Sequence, residues 1–207
     1  MRILVLAPHT DDGEFGCGGT IARFVGEGHD VHYVAFSAAE KSVKSEFPSD
    51  ILRKEVVEAT GALGIPRQNL QVLDFEVRDF PAQRQAILDV MVALQAELDP
   101  EIVFLPSTSD THQDHQVVSA EGFRAFKRTT ILGYELPWNN LAFVTNTFVL
   151  LEESHVARKM EALRQYGSQL HRPYAGSDYM RHLATVRGVQ IGAKYAEAFE
   201  GIRNVIR

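Results

Sequence analysis

Residues 2–7 form an unbroken aliphatic run that stops at Pro8, and a short run of this kind predicts a strand buried on both faces of a parallel sheet. A polar, glycine-rich loop over residues 9–19 follows. Residues 20–27 then carry apolar positions at helical spacing, with Gly28 placed to close the helix. A second strand is expected at 31–36. After a polar stretch from 37 to 49, Asp50 is positioned to cap a helix over 51–63 that Gly64 and Pro66 terminate. A short third strand at 70–74, a helix over 83–98 stopped by Asp99-Pro100 and a fourth strand at 101–105 continue the alternation. Beyond them the pattern predicts a helix at 116–127, strands at 131–136 and 147–151, a helix at 154–166 and a mixed segment at 178–199. Strands alternating with helices imply right-handed crossovers. The expected fold is therefore α/β, a Rossmann-like three-layer α/β/α sandwich with a mostly parallel sheet.

The chain has 207 residues, 45% of them hydrophobic, enough for one substantial core, and no repeat or linker divides it, so a single domain over 1–207 is expected. Its net charge of −6 and the lack of a Lys/Arg cluster argue against a nucleic-acid partner. Cys17 is the only cysteine, which excludes an internal disulfide and a thiolate zinc site. A reducing cytoplasm is the simplest setting. The opening segment has one basic residue and an apolar run too short for a secretory signal, and no apolar stretch is long enough for a transmembrane segment. Composition leaves a homo-oligomer open.

Open parallel sheets bind ligands beyond the carboxyl ends of their strands, where neighbouring crossovers leave in opposite directions. Pro8-His9-Thr10-Asp11-Asp12 follows the first strand, and His112-Gln113-Asp114-His115 comes a short loop after the fourth. With strand order 3-2-1-4-5, the two clusters converge. Without thiolates, zinc takes imidazole nitrogen and carboxylate oxygen, and a catalytic site uses three protein ligands, leaving one position for water. Two histidines and one aspartate from these loops meet that requirement. The ion lowers the pKa of water to near 7, and the spare acid of the Asp11-Asp12 pair suits the base that takes its proton.

These motifs resemble the LmbE/PIG-L family of zinc-dependent N-deacetylases, which act mainly on N-acetylglucosaminyl compounds. That family pairs an N-terminal (P/A)HPDD motif with a downstream HxDH. The resemblance extends to Gly18-Gly19-Thr20, Glu55, Leu63-Gly64, Tyr166-Ser168-Gln169 and 195–199. It implies His9, Asp12 and His115 as ligands of Zn2+ or another divalent transition metal, and Asp11 as general base. It also implies a protonated His112 stabilising the oxyanion, with Asp114 orienting or charging that histidine. Asp114 is equally placed to cap the 116–127 helix. Thr10 replaces the usual proline, and Gly13 stands where a glutamate commonly follows the Asp pair, with Glu14 one place later. An arginine that often precedes the family glutamate by three residues falls at Leu52, which leaves the adjacent Arg53 as a candidate for holding sugar hydroxyls. Trp138 is a candidate for stacking on a sugar face or for packing.

The expected activity is thus metal-dependent hydrolysis of an N-acetyl group from an amino sugar carried on a larger conjugate, such as a glycan, nucleotide, lipid or thiol-linked compound. One alternative is an amidase acting on a non-sugar or thiol-conjugate amide. Another is a metal-free nucleotide-binding Rossmann module, suggested by the glycine-rich run at 13–19. The spacing there is not GxGxxG, and 36–38 offers no carboxylate for a ribose. Cys17 reads as a small packing residue. His29, His32, His155, His171 and His182 have no partner at ligand spacing.

Overall fold

The computed structural model describes residues 1–175 and 177–206. Its centre is a seven-stranded sheet in the order β3-β2-β1-β4-β5-β7-β6. The first strand, β1 (Arg2–His9), pairs in parallel with β2 (Asp30–Ser37) on one side and β4 (Ile102–Pro106) on the other. β3 (Leu70–Val72) and β5 (Thr130–Tyr134) extend the parallel sheet outward. β7 (Tyr195–Arg203) runs antiparallel between β5 and β6 (Thr147–Leu151).

The aliphatic run of β1 is buried because it faces two cores. Ile3, Val5 and Ala7 pack into the core beneath α1 (Asp12–Gly26), α2 (Ile51–Leu63), α5 (Glu153–Arg164) and α6 (Ser177–Val189), whereas Leu4 and Leu6 pack beneath α3 (Arg84–Leu98) and α4 (Gln113–Ala125). The crossover leaving β1 therefore runs over one face and the crossover leaving β4 over the other. The gap between the ends of β1 and β4 is the topological switch point, where a parallel sheet opens a crevice.

Two helix starts lie three or more residues from the positions expected from the sequence, and both matter at that crevice. The glycine-rich stretch at 13–19 is not a loop: α1 begins at Asp12, directly after the first cluster. The glycines are needed for close approach. A Cβ on Gly13 would lie 2.5 Å from Tyr33 Cε2, and one on Gly16 would meet the ring of Tyr134. The helix breaks once, at Cys17, with φ −143° and ψ 22°. Its restart is capped from outside, since the Glu197 carboxylate accepts the N–H groups of Gly19 at 3.0 Å and Thr20 at 2.7 Å while Lys159 pairs with it at 2.7 Å. Likewise α4 begins at Gln113, not 116, and its N-cap is His112 instead of Asp114. No described helix is long and apolar enough to cross a membrane.

Candidate metal centre and cleft

His9 ends β1, Asp12 opens α1, and His115 lies in the first turn of α4. The distances are 3.1 Å from His9 Nδ1 to Asp12 Oδ2, 3.3 Å from His115 Nε2 to Asp12 Oδ2, and 3.3 Å from His115 Nε2 to His9 Nδ1. Four ligands arranged tetrahedrally at ~2.0–2.1 Å from zinc stand roughly 3.3–3.4 Å apart, so this triangle has the edge length of such a site. His112 also belongs to the cluster, with ligand atoms of His9, His112 and His115 within 4.8 Å of one another. Asp12 makes the tighter set, with its Oδ2 at 3.1 and 3.3 Å from the two histidine nitrogens, while His112 Nδ1 accepts from the N–H of Asp114 at 3.2 Å.

The outer nitrogens decide what the inner atoms can do. His9 Nε2 is 3.0 Å from Asp114 Oδ2, and His115 Nδ1 is 2.8 Å from Asp110 Oδ2. A carboxylate can only accept, so each outer nitrogen carries the proton and each inner nitrogen is left with a lone pair. Three acceptor atoms then converge at Asp12. Such a triad needs a cation, either a proton or a metal ion, at its centre. The charge states agree. Burial works against a charged His115, but Asp12 and Asp110 outweigh it and push its pKa up to about 10. Burial likewise opposes a charged His9, whose hydrogen bonds to Asp114 and Asp12 raise it. Asp12, despite burial, is held well below the usual carboxylate range by His115 and His9.

Asp11 stands at the N-cap position of α1, makes no side-chain cap bond and lines the cleft. Burial, with the Asp12 charge beside it, pushes its carboxyl up to about 6, poised to exchange a proton near neutrality. His112 is pushed down to about 4 by burial and by His115 and His9. Because its Nδ1 accepts from the Asp114 N–H, its single ring proton sits on Nε2. The structure thus presents His112 as a neutral donor, not the imidazolium expected from sequence. Asp114 holds the His112 ring through its backbone N–H and raises that ring's pKa by its charge, while its carboxylate also serves His9 and the backbone N–H groups of Arg78 (2.7 Å) and Phe80 (3.4 Å).

The cleft around these groups has a volume of about 280 Å³. Trp138 lines it, stacked on Tyr174 at 3.8 Å between ring centroids and 7° between planes, with Phe15 edge-on to both. Arg53 is not in it. Its guanidinium pairs with Glu40 at 2.7 Å and with Asp74, beside a neighbouring groove, while Leu52 faces the cleft instead. Arg78 and Arg172 are the arginines that line the cleft among the described residues. Gln169 lines it too, but Tyr166 and Ser168 are buried beneath it, on Glu14 and Glu55 respectively. Glu14 is pushed up to about 8 by burial, although Tyr33 and Tyr166 hydroxyls bond it. Sequence reasoning missed Asp110, which holds His115 and, through its other oxygen, the His112 N–H at 2.8 Å. The only available signal was its place two residues before the HxDH motif.

The family model described as PIG-L, GlcNAc-PI de-N-acetylase, matches residues 4–126, which include both clusters. Among curated proteins the chain is similar to the uncharacterized deacetylase YaiS of Escherichia coli, with 29% identity over 80% of this chain and 90% of the relative. It is also similar to diacetylchitobiose deacetylase of Thermococcus kodakarensis, with 26% identity over 99% of this chain and 83% of the relative. The crystal structure of a conserved protein from Thermus thermophilus superimposes with a TM-score of 0.81 at 28% identity, covering 99% of this chain and 96% of that one.

Proposed function

The chain belongs to the PIG-L family of de-N-acetylases, and on that basis we propose that it hydrolyses the N-acetyl amide of an amino-sugar conjugate at a metal held by His9, Asp12 and His115. The observation that carries this reading is the triangle of three acceptor atoms with the Asp11 carboxyl beside it, which burial and the Asp12 charge push up to about 6. Zinc or a related divalent ion bound there supplies Lewis acidity, which brings the pKa of water down to ~7 and polarises a carbonyl.

The protein's own groups do the proton work. Asp11 takes a proton from the water as its oxygen adds to the acetyl carbon. The His112 Nε2–H donates to the carbonyl oxygen as negative charge gathers there, a contact worth roughly 3–4 kcal/mol in comparable sites. The C–N bond then breaks as Asp11 returns its proton to the leaving nitrogen, releasing acetate and the free amine. A neutral His112 suits this role, because with its imidazolium form pushed down to about 4 the ring keeps one Nε2–H, and the N–H of a neutral imidazole is too weak an acid to be lost to water or to the oxyanion. Asp114 and Asp110 fix the tautomers of His9 and His115. Trp138 and Tyr174 offer a flat apolar wall against a sugar face.

The diacetylchitobiose deacetylase relative supports an N-acetyl sugar over other amides. The nucleotide-binding alternative lacks free amides at the helix restart, since Gly19 and Thr20 are occupied by Glu197. Acetate release from free, oligomeric, nucleotide-linked and lipid-linked N-acetylglucosamine, with and without added zinc, tests the proposal. Zinc-dependent release from at least one class is expected. Release from none of them by zinc-loaded protein, or release untouched by a chelator, overturns it.

A further inference from the structure

We propose that Arg78 and Arg172 bind an anionic group, a phosphate or carboxylate, on the part of the substrate that is not the acyl group; this names the substrate class of the site above and rests on that reading. Most cationic side chains of this acidic protein are spoken for. Arg23 pairs with Glu27, Arg84 and Arg124 with Glu121, Arg181 with Glu153 and Arg187 with Glu135. Arg78 and Arg172 line the metal cleft, and neither forms an ion pair among the described residues.

Both are nevertheless held in place. The Arg172 Nε donates to Gln169 Oε1 at 2.8 Å, and its guanidinium lies 5.8 Å from the centre of the Tyr174 ring. The guanidinium also hydrogen-bonds the Tyr174 side chain, and of its five N–H donors those that remain on the terminal nitrogens are available to the oxygens of a phosphate or carboxylate. Arg78 bonds Ser42 Oγ through Nη2 at 3.0 Å. Its backbone sits in the left-handed region at φ 71°, which an arginine rarely adopts, and the Asp114 carboxylate pins it there through the Arg78 N–H at 2.7 Å. The carboxylate that orients a metal ligand therefore also fixes a cation at the cleft wall. With about 280 Å³ available and both arginines on its wall, the cleft sets a charged substituent of a bound sugar ring against a cationic lining. Arg78 is exposed and Arg172 half-buried beside Asp11, so an anionic substituent supplies the ion-pair partner that neither guanidinium has among the described residues.

Trp138 is the chain's only tryptophan and lies in the cleft, so its fluorescence reports occupancy directly. Zinc-loaded protein is titrated with N-acetylglucosamine, with N-acetylglucosamine 1-phosphate and with N-acetylmuramic acid, which carries a carboxylate. At least one anionic ligand is expected to bind about tenfold or more tightly than the neutral sugar. That ratio should fall towards one in Arg78→Gln and Arg172→Gln, and Arg172→Lys should restore part of it. The phosphate and carboxylate arms show which anion is preferred. Equal dissociation constants in the unaltered protein, no detectable binding of either anionic compound, or a ratio unchanged in both glutamine variants and their double variant overturns the inference. If Arg172 only tuned Asp11, its loss would shift all ligands together and leave the ratio unchanged, which counts against the proposal. Anion-selective binding without acetate release from any compound would instead sink the deacetylase reading alone.

Discussion

Replacing Asp110 by asparagine isolates the outer carboxylates from the metal ligands they hold. Asp110 is buried, with one oxygen accepting the His115 Nδ1–H at 2.8 Å and the other accepting the His112 N–H at 2.8 Å. An asparagine has one acceptor and one donor end. If its NH2 group faces His115, the imidazole proton must move to Nε2, the atom aimed at the ion. If the amide oxygen stays on His115, the NH2 group meets the His112 N–H, donor against donor, and α4 loses an anchor at its start. Outer partners of metal-bound histidines contribute roughly 10–100-fold in affinity, or about 1.4–2.7 kcal/mol. The anchor loss adds ~1–3 kcal/mol of instability for an unsatisfied buried donor. Competition with a fluorescent zinc chelator measures the first effect, and thermal unfolding of the metal-free protein measures the second. A folded variant whose zinc affinity stays within about twofold of the parent would refute the claim that Asp110 sets the His115 tautomer.

Other substitutions address the remaining groups one at a time. Asp11→Asn should keep stoichiometric zinc while lowering kcat by about 10²–10⁴-fold; loss of zinc would mean that the two aspartates exchange roles. In the metal-free protein His115 is raised to about 10, so below that pH an incoming ion must displace its proton, and apparent zinc affinity should climb with pH by up to ~10-fold per unit. A flat profile would contradict the acceptor triad. Glu14, raised to about 8, keeps its proton in the folded state while the unfolded chain loses it near 4.5, so this group makes stability fall as pH rises between those values. Glu14→Gln should remove that slope, up to ~1.4 kcal/mol per pH unit, in chemical denaturation of the metal-free protein; an identical slope in both proteins would show that Glu14 is ionised throughout. Gly13→Ala should cost ~1–3 kcal/mol of stability because its Cβ meets the Tyr33 ring, and a neutral result in thermal unfolding would contradict that packing.

The buried central strands β1 and β4 were legible because continuous apolar runs have few alternatives to a doubly covered strand, and β1 alternates Ile3, Val5 and Ala7 against Leu4 and Leu6 between two cores. The start of α1 was not legible. Four glycines in seven residues look like a loop by local propensity, yet tertiary contact decides, since Tyr33 and Tyr134 fill the space that side chains there would need. Arg53 failed for a related reason: one residue along a helix turns the side chain by about a quarter of a turn, which puts Leu52 on the cleft and Arg53 on Glu40 and Asp74. Arg78 and Arg172 were invisible because no period or motif marks them, and Asp110 had only its place just before the HxDH motif. Their place depends on the loops after β3, β4 and α5 folding back over the switch point. Asp114 shows the limit of a motif: its position was marked, but its partner, His9, is 105 residues away.

Whether His9, Asp12 and His115 hold the ion can be seen by anomalous diffraction at the zinc edge, from crystals grown with one equivalent of zinc. A single strong peak is expected about 2.0–2.1 Å from His9 Nδ1, Asp12 Oδ2 and His115 Nε2, with His112 outside bonding distance. A peak bound by His112 in place of Asp12, or no peak among these residues, would contradict the assignment.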